Sequence, residues 1–391
     1  MCNRLLHVEK PMRVVIVGAG IAGLCTAAGL ASNGAEVTVV ERSPEVRGGG
    51  SGLSLFGNGL RALEVLGLRS VVPDAPAPVA PIVSGTRRPD GRWLTRFDRE
   101  ALAEMRVVRR TELHEALLGA LPNSVEIRTG TGVRDVRDGT VQLDDGTSLE
   151  CDLVVGADGL RSRVRAAIAD DPGVARCGYS AWRAVTSTPV ALDAAGETLG
   201  RGRRFGIAPL PDGCVYWFAS VSDGVVGGGS EGGFEGGLDV VRQQFSGWHA
   251  PIAELLDATD PESVGHLPIE QLAHPLPSFI GGRCVLVGDA AHAMTPNLGQ
   301  GANLAMEDAA VLTTLLARAG TDGVGDAPAV YDGLRRPRTR RIARRASVIG
   351  RVGQLRAAPA VWARDLAMRL TPDKVVDAEL RRVQNWRPPT T

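Results

Sequence analysis

The segment Val14-Val15-Ile16-Val17-Gly18-Ala19-Gly20-Ile21-Ala22-Gly23 constrains the fold of this chain more than any other. An apolar run stops at a G-x-G-x-x-G, and a second apolar run, Val37-Thr38-Val39-Val40, ends in the acid Glu41. The pattern predicts strand, glycine turn, helix, strand and carboxylate, the unit that binds an adenine dinucleotide. Each glycine has a steric job in that unit. Gly18 permits the tight turn, Gly20 lets the backbone approach a pyrophosphate, and Gly23 lets helix and strand pack closely. The helix start, at Ile21 and Ala22, offers free N–H groups and the positive end of its dipole to the phosphates. Glu41 can accept hydrogen bonds from ribose hydroxyls, and Arg42 beside it can stack on or pair with the adenosine.

A length of 391 residues predicts about two domains. Lys plus Arg and Asp plus Glu number 44 each, so the zero net charge calls for neither nucleic acid nor an anionic membrane as partner. The six cysteines are far apart and form no C-x-x-C, which argues against a zinc ribbon or redox dithiol. They read as reduced, mostly buried thiols, with Cys25 and Cys284 inside apolar runs. The six histidines show neither H-x-x-x-H nor H-E-x-x-H spacing, so no metal site is expected. No apolar run reaches the roughly 18 residues of a membrane span, and Met1–Met12 reads as a short polar tail. A cytoplasmic protein, monomer or homodimer, acting on a small molecule is the expectation.

Along the chain, Leu60–Leu68 has helical leucine spacing, and Pro76, Pro78 and Pro81 make the stretch from Pro73 to Pro89 a connection or edge element. A helix is expected over 109–118. A strand pair is expected at Val133–Val136 and Val141–Leu143, with Asp144-Asp145-Gly146 after it. Residues 176–268 change character, and runs such as Val215-Tyr216-Trp217-Phe218-Ala219 predict antiparallel strands. The glycine-rich stretch Gly227 to Gly237 predicts a loop; its G-x-S-x-G at 228–232 lacks the strand and helix of a hydrolase elbow. A buried strand returns at Cys284-Val285-Leu286-Val287, a long helix follows from about Gly301, and an arginine-rich helical end begins near Tyr331.

Two further glycine turns sharpen the reading. Gly156-Ala157-Asp158-Gly159-Leu160-Arg161-Ser162-Arg163 follows a strand and opens a helix, as does Gly288-Asp289-Ala290-Ala291-His292 with Pro296-Asn297-Leu298-Gly299-Gln300-Gly301-Ala302-Asn303. With the first turn, these resemble the three fingerprints of the single-component FAD-dependent aromatic hydroxylases, the para-hydroxybenzoate hydroxylase-like flavoprotein monooxygenases. Gly178-Tyr179-Ser180-Ala181-Trp182-Arg183 and Arg335-Arg336-Pro337-Arg338-Thr339 are similar to that family too. The resemblance spans roughly residues 13 to 345. It implies an α/β fold: a Rossmann-like FAD-binding domain (1–75, 100–175 and 270–345), an antiparallel-sheet substrate domain (76–99 and 176–269) and a C-terminal helical segment (346–391).

The resemblance also implies roles. Asp289 accepts from the ribityl chain, Pro296 faces the flavin ring, and Gly299, Gln300, Gly301, Ala302 and Asn303 surround its pyrimidine edge. Asp158 orders its own loop beside FAD and the nicotinamide nucleotide, Arg109 contacts the flavin nucleotide, and Val133 lies along it. Arg161 and Arg165 can attract NADPH phosphates or make surface ion pairs. His292 is a general base or, more simply, a histidine that holds its turn. Arg204 and Tyr216 are candidates to bind and orient the substrate, and Trp182, Phe205, Trp217 and Phe218 either wall its pocket or form core. The implied reaction uses NADPH or NADH and O2 to hydroxylate or epoxidise an aromatic or polycyclic compound through a flavin C4a-hydroperoxide. An epoxidase or prenyl reductase on the same scaffold, and a cyclase that uses FAD without net redox change, stay open. A plain NAD-dependent dehydrogenase is disfavoured by the Asp289 motif.

Overall fold

Strands that are apolar without alternation belong where both sheet faces are covered. In the computed structural model, which describes residues 10–46, 51–74, 83–225, 237–319 and 324–389, Arg13–Val17 is such a strand. It lies inside a six-stranded sheet, between Glu36–Val40 on one side and Leu153–Gly156 on the other, both parallel to it. Glu126–Arg128 and Cys284–Leu286 extend the sheet in the two directions, and Ile280–Gly281 forms an antiparallel edge. Val14, Val15, Ile16 and Val17 are at most 5% exposed, so the apolar run is used in full. The strand order reverses at Arg13–Val17. The crevice at its carboxyl end, beside Leu153–Gly156, is therefore the switch point where open α/β sheets take ligands.

A second, seven-stranded sheet runs in the order Gly265–Leu272, Val174–Val185, Val215–Ser222, Arg203–Pro209, Ala194–Leu199, Val83–Arg87 and Trp93–Arg96. All its pairings are antiparallel except that of Val83–Arg87 with Ala194–Leu199. Strand alternation separates its side chains by face. Trp182, Phe205 and Trp217 are fully buried against helices Leu238–Gln244 and Ile252–Asp257, with Phe205 stacked on Trp217 at 5.6 Å. These three are core and wall no pocket; of the four aromatics considered, only Phe218 lies on the other face.

Helices Gly301–Ala319 and Ala327–Gly353 pack together around a buried cluster of charge. Arg335, 1% exposed, donates from Nε to Asp308 at 2.6 Å and from Nη1 to Glu307 at 2.5 Å. Arg338 donates to both oxygens of Glu307 at 2.7 Å, and Asn58 donates to Oε1 at 2.7 Å. His292 bonds Asp308 at 2.6 Å, and the Gly288 amide donates to the same oxygen at 2.9 Å. His292 thus holds the Gly288–Asp289 turn and is buried with its Nε2 committed to Asp308.

Two local features depart from the expected pattern, while the C-terminal segment is helical as expected. The strand pair is a three-stranded meander, Val133–Arg137, Thr140–Leu143 and Ser148–Glu150. Its first turn is Asp138-Gly139, both with positive φ (48° and 84°), which is a two-residue hairpin turn of the primed kind. The arginine-rich helix begins at Ala327 and carries Pro337 in its interior. The C-terminal segment adds helices Ala358–Leu370 and Asp373–Gln384, and the latter's region is tied back by Arg61, which donates to the Gln384 and Trp386 carbonyls. No helix among the described residues is long and apolar enough to cross a membrane. The polar tail at 1–9, the proline-rich stretch at 75–82 and the glycine-rich stretch at 226–236 lie outside the described residues.

The buried cluster should dominate the acid stability of this unit. Burial pushes the Asp308 carboxyl up, but His292 and Arg335 more than offset it and leave the group below its ordinary value. A depressed carboxylate contributes stability that is complete above its unfolded value of about 4 and is lost as pH falls through the lower folded value. Denaturant unfolding at neutral pH should show Arg335→Met destabilised by about 3–5 kcal/mol, because two buried carboxylates each lose a cationic partner. Asp308→Asn should flatten the stability curve below about pH 4.

Candidate active site

Three turns converge at the switch point. Gly18 has φ of 104°, and a Cβ there would come within 2.5 Å of the Ala157 carbonyl oxygen. A Cβ on Gly23 would overlap the Gly18 carbonyl and approach the Ala157 methyl at 3.4 Å. A Cβ on Gly288 would meet the Ala22 methyl at 2.8 Å and the Ala305 methyl at 3.4 Å. The second and third glycine motifs therefore both abut the first. Asp289 is brought to the mouth of the same crevice; it is exposed, and no hydrogen bond reaches its carboxylate among the described residues.

Gly20 differs from these packing glycines. Nothing lies within 4 Å of the position its Cβ would occupy, and the same is true of Gly301. Gly20 caps helix Ile21–Ser32 with no side-chain hydrogen bond, so the first N–H groups, at Ile21 and Ala22, point into open space. Glu41 is anchored beside it, accepting from the Ala19 amide at 2.8 Å and the Ser43 amide at 2.9 Å. His114 bonds the Ala19 carbonyl at 2.7 Å from the other side. Arg42 is exposed next to Gly132, and the Val133 side chain is packed in the core, so only the backbone at 133 can face a nucleotide. An anion cradle, ribose acceptors and a carboxylate at the second crevice wall suit a flavin adenine dinucleotide.

Asp158 is occupied by its own loop. It accepts from the Ser162 hydroxyl at 2.5 Å and from the Arg163 and Val164 amides at 2.6 and 3.2 Å, opening helix Arg163–Ile168. Arg165 is 1% exposed and bonds Asp171 and the Leu160 and Ala290 carbonyls, so it braces the fold and cannot attract a nucleotide. Arg161 pairs with Glu270 at 2.8 Å. Arg109 ends strand Arg106–Arg109 and pairs with Asp212 at 2.6 Å.

In the third motif, Pro296 opens a short 3-10 turn and Gly299 takes φ of 62°. Two side chains expected around a flavin edge turn inward instead. Asn303 accepts from the Phe56 amide at 2.9 Å and donates to the Ser54 and Gly299 carbonyls at 3.0 and 2.9 Å. Gln300 accepts from Asn58 at 2.9 Å. Their part is to hold strand Gly52–Leu55 and the Gly299 turn, leaving Gly301 and Ala302 as the backbone of the helix start.

The open face of the second sheet lies against this turn. It carries Tyr179, Ala181 and Arg183 from one strand, Tyr216, Phe218 and Ser220 from the next, then Arg204 and Gly206, then Glu197. Gly206 makes room for the Phe218 ring and Gly52 for the Tyr216 ring, since a Cβ at either would overlap it. Arg204 is 2% exposed, donates to Glu197 at 2.6 Å and reaches the Asn297 carbonyl oxygen with its other terminal nitrogen. Asn297 in turn donates to the Tyr179 hydroxyl and the Ala346 carbonyl, both at 3.0 Å. Arg204 and Tyr216 thus share a face, yet Arg204 is already paired. Asn297 and Tyr179 sat in noted motifs without a role. Glu197 carries no sequence signal, because only the strand register sets it across from Gly206.

The FAD binding domain family matches residues 11–198 and 261–346. Aurachin C monooxygenase/isomerase from Stigmatella aurantiaca is 34% identical over 96% of this chain and 99% of its own. The 2-heptyl-3-hydroxy-4(1H)-quinolone synthase of Pseudomonas aeruginosa is 35% identical over 93% of this chain and 95% of its own. The chain belongs to the FAD-dependent aromatic hydroxylases. A crystal structure of Klebsiella pneumoniae HpxO complexed with FAD and uric acid matches the fold with a TM-score of 0.83. It is 26% identical and the match covers 95% of this chain and 96% of that one. The protein is an FAD-dependent monooxygenase, an oxidoreductase built on this α/β fold.

For this monooxygenase the glycines separate into two groups by experiment. Gly20→Val should leave the thermal midpoint of the apoprotein within a few degrees of wild type, since its side chain enters empty space. FAD content, read from flavin absorbance, should fall to near zero. Gly23→Val should instead fail to fold, because the overlap is with backbone.

Proposed function

We propose that the monooxygenase uses NAD(P)H and O2 to hydroxylate or epoxidise a planar aromatic or polycyclic substrate laid along the Tyr216–Phe218 face. The observation that carries this reading is the Asn297 bridge. The residue next to Pro296 bonds both Arg204 and Tyr179, so the substrate sheet and the flavin turn are one hydrogen-bonded unit. Gly18, Gly20, Ile21, Ala22 and Gly23 would hold the pyrophosphate of FAD, Glu41 and Arg42 its adenosine, Asp289 its ribityl chain, and the backbone at 299–302 its ring. When bound, FAD supplies hydride acceptance from NAD(P)H and oxygen activation.

The protein's share is positioning and exclusion of water. Phe218 offers an aromatic wall. Burial raises the Tyr216 phenol above its ordinary value, with Arg183 and Arg110 acting in the opposite direction. The phenol therefore stays protonated through neutral pH and works as a hydrogen-bond donor that orients the substrate, in preference to a base. The related proteins named for aromatic substrates support the same class: a quinolone synthase and a 3-amino-4-hydroxybenzoate 2-monooxygenase from Streptomyces cremeus, 35% identical over 94% of this chain. The cysteines among the described residues are free and mostly buried, which accords with a cytoplasmic setting, and a monomer or homodimer would suffice for a site built within one chain.

Oxygen uptake decides between this reading and a cyclisation without net redox change. Addition of a productive aromatic to enzyme and NADPH should start O2 consumption matched by hydroxylated or epoxidised product; product without O2 uptake would support the cyclase. Tyr216→Phe should lower kcat/KM by about 10- to 100-fold and leave FAD content unchanged.

A further inference from the structure

A buried guanidinium needs a counter-charge, and where that charge comes from decides what else the site accepts. In the substrate sheet it comes from the chain itself. Glu197 stands across from Gly206, one strand over from Arg204, and its Oε2 accepts from Arg204 Nη2 at 2.6 Å. The Arg204 side chain is 3% exposed and that of Glu197 is 33% exposed, so an incoming molecule meets the carboxylate and not the guanidinium. The remaining Arg204 nitrogens are closed off as well, one by a hydrogen bond and one by burial. Nη1 is held by Asn297, and Nε is buried without a partner against the position where a Gly353 side chain would sit. Two of the five Arg204 N–H groups are used, and with the side chain 3% exposed the guanidinium presents no open edge for a bidentate grip on an anion.

We propose that Glu197 is the specificity-determining residue of this monooxygenase: it cancels Arg204 as an anion receptor and selects uncharged aromatics that donate an N–H or O–H. The inference rests on the substrate face described under Proposed function and names the class of compound it takes. A substrate carboxylate at this end of the face would lie beside the Glu197 carboxylate, a like-charge contact, with Arg183, unpaired among the described residues, on the far side of Phe218. A lactam N–H or a phenolic O–H finds in the outer Glu197 oxygen a charged acceptor, which makes a stronger hydrogen bond than a neutral one. Arg183, on the same face beside Phe218, makes no ion pair among the described residues. It is placed to favour negative charge gathering on the substrate oxygen near Tyr216, at the opposite side of Phe218 from Glu197.

Two matched pairs of probes test this: 4-hydroxyquinoline with 4-hydroxyquinoline-2-carboxylate, and phenol with 2-hydroxybenzoate. Dissociation constants are read on the FAD-loaded protein from perturbation of the flavin spectrum and by calorimetry, with no turnover required. The wild type should bind the uncharged member of each pair more tightly. Glu197→Gln should shift the ratio of constants by about tenfold toward the carboxylate, roughly 1.4 kcal/mol. Glu197→Asp should keep the wild-type ratio, and Glu197→Gln with Arg204→Gln should remove the gain. A wild type that prefers the carboxylates, or that binds neither uncharged probe, overturns the proposal whatever the variants do. So does a Glu197→Gln protein with full FAD content and an unchanged ratio. A shifted ratio without oxygenation of any probe would leave the selectivity standing and count against the proposed reaction alone.

Discussion

The close approach of the Val17–Gly18 turn to Ala157 is the contact on which the site depends. A side chain at Gly18 would meet the Ala157 carbonyl, and one at Gly23 would overlap the Gly18 carbonyl. Two backbone segments separated by well over a hundred residues are thus pressed together at the carboxyl ends of adjacent parallel strands. That contact fixes the mouth of the crevice. The Gly288 turn then closes on Ala22 from the third side. Glycines in this chain are therefore of two kinds. Some permit backbone to touch backbone, and others, Gly20 and Gly301, border open space.

Charge is handled in the same economical manner. The half with the parallel sheet contains a buried group of Glu307, Asp308, Arg335 and His292, with Arg338 partly exposed at its edge, in which the carboxylate oxygens face cationic or hydrogen-bonding partners. Breaking one member would strand the others, so the cluster ties helix Ala327–Gly353 to the Gly288 turn. The seven-stranded sheet carries a smaller version, Glu197 with Arg204, bridged through Asn297 to the Pro296–Gly299 turn. One end of the long helix thus braces the third motif through Arg335, and the other meets Asn297 at Ala346. Movement of the seven-stranded sheet relative to the Pro296–Gly299 turn must disturb these bonds first.

Much of the cofactor side was readable from residue order. The glycine spacing, Glu41 and the apolar runs each have a local meaning, because a strand buried on both faces needs no register to be recognised. His292 as a turn-holding residue was legible from its motif as well. The substrate side was less so. Aromatics on strands are more often core than pocket wall, yet for Trp182, Phe205 and Trp217 alternation defines two faces without saying which one is covered. Helices Leu238–Gln244 and Ile252–Asp257 make that choice. Arg165 read as a surface cation and proved to be a buried brace.

The sequence by itself determined the family, the cofactor and the position of the three turns, because those depend on backbone conformations that few residues besides glycine allow and on acids at strand ends. The tertiary structure alone decided what Arg204 is free to do. Its partner Glu197 is set by antiparallel register and its other partner, Asn297, by packing between two sheets, and neither distance is written in any local pattern. Electrostatic pairing in the interior depends on which groups share a low-dielectric space, and only the folded chain defines that space.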